Sequence, residues 1–179
     1  VEKKFFLVIG GFDEYYFGGR EEVELGLRAW QYGYKVLYVP SAVIIHKRGG
    51  TFSFKDINYF AKSMWVKSIS YFILKNYELK HVFIYLLESI FFLHCPKIVF
   101  FLLQKDMKGS LAVVRGFYWF LKDIKNEKIL TKIFQQRKLI NKNKKRSDKD
   151  LFELGLMSTF KERLEYKAKI LKMYMKSTR

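Results

Sequence analysis

The spacing of hydrophobic and polar positions changes near residue 54. Before it, Phe5 to Ile9 is a compact apolar run ending in Gly10-Gly11 and reads as a buried strand reaching a turn. Glu21 to Gln31 carries Val23, Leu25, Leu27 and Trp30, of which Val23, Leu27 and Trp30 share one helical face. Glu21, Glu22 and Glu24 crowd its first turn, where the helix macrodipole favours acids, and Gly33 supplies a stop. Lys35 to Val39, closed by Pro40, and Ala42 to Ile45, closed by His46, read as two short strands. Strand, helix, strand, strand in this order predicts the edge of an α/β sheet.

From Phe54 the pattern is helical. Lys55 to Leu74 mixes aromatics with lysines at helical spacing, and Leu111 to Ile124 sets Val113, Val114, Phe117, Tyr118, Phe120 and Leu121 against Arg115, Lys122 and Asp123. Val82 to Leu93 is almost wholly apolar, and Ile98 to Leu103 resumes after Pro96-Lys97. End to end this approaches the length of a membrane span. Glu88, His94, Pro96 and Lys97 fall within it, however, and a carboxylate at mid-bilayer costs several kcal/mol. Two shorter helices lying at the interface are therefore expected. Lys138 to Lys149 reads as a solvated basic linker, and Leu151 to Met175 as a final helix rich in lysine. No internal repeat is visible.

Charge sharpens the division. Residues 1–103 carry 13 Lys/Arg against 9 Asp/Glu, net +4, whereas residues 104–179 carry 21 against 8, net +13. A basic excess in one half points to an anionic partner, nucleic acid or an anionic lipid surface. The single Cys95 cannot form an internal disulfide and reads as a buried thiol in a reducing compartment. No secretory signal is visible, and the chain opens on what reads as a strand already in progress, so residues upstream are expected.

Candidate chemistry gathers between Gly10 and Thr51. Either of the adjacent carboxylates Glu21 and Glu22 is placed to accept a proton at a helix N-terminus, although residue type alone equally allows them to serve the helix dipole. His46 at a strand end suits a divalent metal or an ordinary hydrogen bond. Gly10-Gly11 and Gly18-Gly19 lack GxGxxG or Walker spacing, and no C-x-x-C pair supports zinc. His81 and His94 have no acidic or cysteine neighbours at metal spacing and read as structural or interfacial.

Together these elements form an ordered series: G-G-F-D-E, two aromatics, an acidic pair opening a helix, L-x-L-R-A, x-G-Y-K-V, Y-V-P-S-A-V and H-K-x-G-G-T. The series, over residues 5–53, resembles the C-terminal part of the catalytic domain of family 2 glycosyltransferases of the rhamnosyl- and galactofuranosyltransferase-like kind. The resemblance implies a GT-A-type α/β domain end at residues 1–53, an aromatic and basic helical region at 54–137, and a basic linker with a C-terminal helix at 138–179. It implies an inverting transfer of a sugar from a nucleotide-sugar to a hydroxyl acceptor. Glu21 and Glu22 would be the catalytic pair, with Glu22 the base, and Gly10, Gly11 and Asp13 would line the acceptor side. His46 would hold a divalent Mg2+ or Mn2+ ion or the diphosphate, and Arg28 would orient the acids.

Two departures matter. The family pattern has Asp where Glu22 and Glu24 stand, which adds a methylene of reach. Its nucleotide-binding half, with a D-x-D metal motif, precedes the matching region, so these residues alone are expected to be inactive. The helical half implies a peripheral place on the cytoplasmic face of the cell membrane, where Phe, Tyr and Trp interleaved with Lys and Arg meet headgroups and a lipid-linked acceptor in cell-surface polysaccharide synthesis. The alternative is a basic nucleic-acid- or anionic-lipid-binding protein without catalysis. Nucleic acid is the weaker candidate, because no helix-turn-helix, RNA-recognition or finger signature is present.

Overall fold

A computed structural model describes residues 3–16, 19–45, 57–157 and 162. The chain divides into two compact units, Val1–Lys145 and Arg146–Arg179. Among the described residues every regular element is helical. This overturns the expected α/β sheet edge and with it the GT-A architecture.

The physical reason lies in backbone pairing. An isolated strand leaves its N–H and C=O groups without partners, whereas a helix satisfies them within itself. Phe5 to Ile9, read above as a strand, falls mostly within the short helix α1, Lys3–Val8. It closes through Gly10 N–H to Leu7 O and Gly11 N–H to Phe6 O, with Gly10 at φ 85° in the left-handed region. Residues 35–45 form no strand. They run irregularly, with Tyr38, Val43, Ile44 and Ile45 exposed.

Helix α2, Glu21–Gln31, follows the sequence pattern and ends as expected, with Gly33 N–H on Trp30 O and Tyr34 N–H on Ala29 O. The axis of the first unit is α3, Ile57–Asn76, whose apolar residues are spread around its circumference, as suits a central helix. It packs mainly on α6, Met107–Ile124. The contact is close because Gly116 faces the Ser63 carbonyl, and Ser63 Oγ donates to Ala112 O at 2.8 Å. Ile69, Phe72, Val82, Phe120 and Ile133 form the main core. Ile9, Tyr32 and Ile140 form a second cluster.

Leu79–Leu103 is one uninterrupted helical stretch of 25 residues, not two helices. It comprises α4, Leu79–Ser89, a π-helical turn at Ile90–His94, and α5, Cys95–Leu103. Pro96 directly follows the π-helical turn, whose wider winding accommodates its ring and missing N–H, so it does not break the run. Cys95 is exposed, correcting the buried thiol, because it falls on the outward stripe of this helix with Phe91 and Val99.

Helix α7, Glu127–Asn143, covers half of the expected linker. Asn126 caps it by accepting from Lys128 N–H at 3.0 Å, and Ile133, Arg137 and Ile140 form its buried stripe. Arg137 donates to the carbonyls of Leu74 and Tyr77, and Gln31 Nε2 to Asn76 O at 2.8 Å, which satisfies the open C-terminal carbonyls of α3. In the second unit, α8 spans Asp148–Glu153 and opens with a Ser147–Asp150 capping box. It ends at Glu153 and does not run on through Leu154–Met157, where Gly155 takes φ 69°. The remainder of the expected helix to Met175 lies outside the described residues, apart from Glu162.

Candidate functional site

The loop after α1 and the first two turns of α2 meet the last turns of α3 in a buried charge network. Asp13 Oδ2 accepts from Lys75 Nζ at 2.6 Å and Tyr71 Oη at 2.7 Å, while Oδ1 accepts from Tyr15 N–H at 3.1 Å. Glu24 Oε1 lies 2.9 Å from Lys75 Nζ and 2.7 Å from Arg28 Nε, and its Oε2 accepts from Arg28 at 2.7 Å. Arg28 also donates to the carbonyls of Ile9 and Gly11. One guanidinium thus ties the glycine turn to α2. Two acids and two bases interlock with all four side chains buried, which a low-dielectric interior tolerates only when each charge has close partners.

Burial alone would raise the Asp13 carboxyl. The Lys75 ammonium and the hydrogen bonds from Lys75, Tyr71 and Tyr15 outweigh it and hold the group below its ordinary range. Burial and the nearby Asp13 carboxylate push the Tyr71 hydroxyl up. Tyr15 stacks on Tyr71 at 3.6 Å and donates to Asp123 at 2.6 Å, which also pairs with Lys67 at 2.7 Å. Beside this network opens a cavity of about 260 Å³, lined by Gly10, Asp13, Arg28, Tyr32, Lys75 and Gln136 among others.

The head of α2 is different. Arg20 precedes it at φ 77°, a left-handed conformation uncommon outside glycine. Glu21 is engaged, its carboxylate accepting from Gly19 N–H at 2.5 Å. Glu22 is exposed. Of the carboxylates of Asp13, Glu21, Glu22 and Glu24, that of Glu22 takes no hydrogen bond or ion pair among the described residues. Asp13 and Glu24 are neutralised by cations, whereas Glu22 is exposed to solvent.

The structure therefore brings Gly10, Gly11, Asp13 and Arg28 together, with Arg28 holding Glu24 and the glycine turn, and leaves Glu21 and Glu22 at the rim of α2. His46 and the following H-K-x-G-G-T segment lie outside the described residues. The oxygens of Asp13 and Glu24 already face Lys75 and Arg28, so this network fits no added metal cation. Sequence reasoning missed Lys75, Tyr71 and Gln136. The available signal was Lys75 itself, a charged residue on a helix with apolar residues on every side.

No protein-family model matches this chain, and no curated protein or solved structure matches it.

Proposed function

We propose that this chain acts in sugar transfer at a membrane surface, supplying the general base and the acceptor side of an inverting glycosyl transfer. One observation carries the reading: at the head of α2, Glu22 is exposed and takes no hydrogen bond or ion pair among the described residues, with Arg20 as a nearby charge, whereas Glu21 and Glu24 are bound. In the reaction, Glu22 takes the proton of an acceptor hydroxyl as its oxygen bonds to the anomeric carbon of a nucleotide-sugar. The bond from that carbon to the diphosphate oxygen breaks, and the electron pair leaves with the nucleoside diphosphate. Arg28, Lys75, Glu24 and Asp13 hold α2 against α3, which fixes the position of the base. Such positioning matters because a displacement of about an ångström costs on the order of a hundredfold in rate.

The membrane part of the reading rests on the outward face of Leu79–Leu103. Leu79, Phe83, Leu87, Phe91, Val99 and Leu103 form an exposed apolar stripe along its whole length. By length and composition this helix is long enough to cross a bilayer. Its other side, however, packs on α3 and α6, and α6 exposes Lys108, Arg115 and Lys122. A crossing would carry those cations into hydrocarbon, so the helix lies along the interface, stripe inward and cations toward headgroups.

The test is Glu22→Gln introduced into the gene in its own cell, with sugar transfer from labelled nucleotide-sugars measured in isolated membranes. Transfer that depends on the protein is lost in the variant, while the helical content of the purified chain is kept. Near-normal transfer with Glu22→Gln removes the base role. Vesicle binding without transfer from any donor favours a non-catalytic lipid-binding protein.

A further inference from the structure

Three basic side chains of the first unit come together beside α3, two of them over the ring of Trp65. Lys97 Nζ of α5 stands 3.2 Å from the centre of the indole ring, and Arg20 Cζ, from the head of α2, 5.3 Å from it. Arg20 also lies 5.9 Å from the Phe72 ring. His94, on the π-helical turn, is 3% exposed and close enough to both cations for each to act on its charge. Among the described residues no carboxylate forms an ion pair with any of the three, although Glu22 stands close enough to Arg20 to act on its charge. Arg20 Nε and both ring nitrogens of His94 are buried without a hydrogen-bond partner.

Buried donors without acceptors are rare in folded proteins, and clustered cations repel, so the buried nitrogens of Arg20 and His94 lack a hydrogen-bonded anionic partner. An aromatic face offsets a fraction of this but accepts no directed hydrogen bond from Arg20 Nε or from the imidazole N–H. The left-handed backbone of Arg20 is a further departure that surrounding structure must sustain. Trp65 and Lys97 also border a cavity of about 270 Å³ whose other walls include Lys62, Val66, Phe101 and Val113. A cationic pole beside a mainly apolar pocket is thus built between α3, α5 and α6.

We propose that Arg20, His94 and Lys97, set against Trp65, bind a phosphate oxyanion, and that the adjoining cavity receives the apolar part of the molecule bearing it. Guanidinium and ammonium donors match phosphate oxygens by charge-assisted hydrogen bonds, and a negative oxygen gives the imidazole N–H its acceptor. The same phosphate chemistry is presented by a lipid headgroup and by a soluble phosphate. The site stands on these residues alone and does not require the sugar-transfer reading. If that reading holds, Arg20 places the phosphate two residues from Glu22.

The test uses the full chain with two probes: inorganic phosphate, and phosphatidylcholine vesicles with or without phosphatidic acid. Imidazole NMR follows His94 in the wild type, where burial, Lys97 and Arg20 hold its pKa down to about 4. Phosphate or phosphatidic acid raises that pKa, and phosphatidylcholine alone leaves it unchanged. Arg20→Gln with Lys97→Gln weakens binding at least about tenfold, whereas Lys128→Gln with Lys138→Gln, equal in charge lost, does not. A response to inorganic phosphate that competes with the vesicles supports a soluble ligand, and a response only to phosphatidic acid supports a headgroup with its chains in the cavity. An unmoved His94 resonance with both probes, or equal losses in the two double variants, overturns the site. Because no sugar transfer is measured, failure here leaves the role of Glu22 standing.

Discussion

Lys75 Nζ lies 2.9 Å from Glu24 Oε1, joining the end of α3 to the start of α2 with both side chains sealed from solvent. The same ammonium holds Asp13. Among the described residues, Lys75→Ala leaves the buried Asp13 carboxylate with no cation partner and Glu24 with Arg28 alone, and destabilises the first unit by about 3–5 kcal/mol. Urea unfolding followed by circular dichroism checks this. A loss under about 1 kcal/mol means the network is open to water.

Acid titration separates two groups. Burial first, then Lys97 and Arg20, lowers His94 from 6.5 to about 4. The unfolded chain therefore binds that proton first, and stability falls as pH drops from about 6.5 to 4, by up to roughly 3 kcal/mol. His94→Leu flattens the urea midpoint over that window. Asp13 is shifted in the same direction, downward, but acts at lower pH: its stabilisation is complete above the ordinary value of 3.8 and is lost as pH falls through its lower folded value. Asp13→Asn removes only this second, more acidic slope.

Two glycines of similar helical setting respond oppositely to alanine. A Cβ on Gly116 collides with the Ser63 carbonyl oxygen and comes within 2.7 Å of Val66 Cβ, so α3 and α6 must part, at a cost of about 1–3 kcal/mol or more. A Cβ on Gly26 meets nothing within 4 Å, and Gly26→Ala stabilises by about 0.5–1 kcal/mol through helix propensity. Thermal melts of both variants decide the matter.

The exposed stripe makes its own prediction. Phe83→Asp with Phe91→Asp weakens flotation with phosphatidylglycerol vesicles at least about tenfold and leaves the melting temperature in solution unchanged. Cys95, on the same stripe, reacts readily with a thiol reagent in buffer and is shielded when vesicles are present. Equal labelling rates with and without vesicles exclude this face from the bilayer.

The fold was legible where one period ran long enough. Acids in the first turn, Val23 to Trp30 and Gly33 gave α2 at both ends, and α3 and α6 followed from helical spacing. Short apolar runs misled, because Lys3–Val8 and residues 35–45 carry β-type composition but have no neighbouring strand among the described residues to complete their hydrogen bonds. Lysine density hid α7, although Asn126 before Glu127, then Ile133 and Ile140 at helical spacing, marked it. For the candidate site, the local order of Gly10, Asp13, Glu22 and Arg28 was visible. Lys75 was not, since its partner Asp13 lies 62 residues away and a lysine on a helix ordinarily points to water. The gathering of Arg20, His94 and Lys97 is likewise a product of tertiary packing.

The wide turn at Ile90–His94 sets the rotational phase between the two halves of the long helix. Each α-helical residue advances about 100° around the axis and each residue of the wider turn about 80°, so winding these five residues as ordinary α-helix would swing everything from Cys95 onward by roughly 90°. Lys97 would leave the indole of Trp65, and the oily band of α5 would no longer continue that of α4. The wide turn therefore keeps the cation cluster and the exposed apolar stripe in register, and deleting one residue from it would return ordinary winding with that register kept.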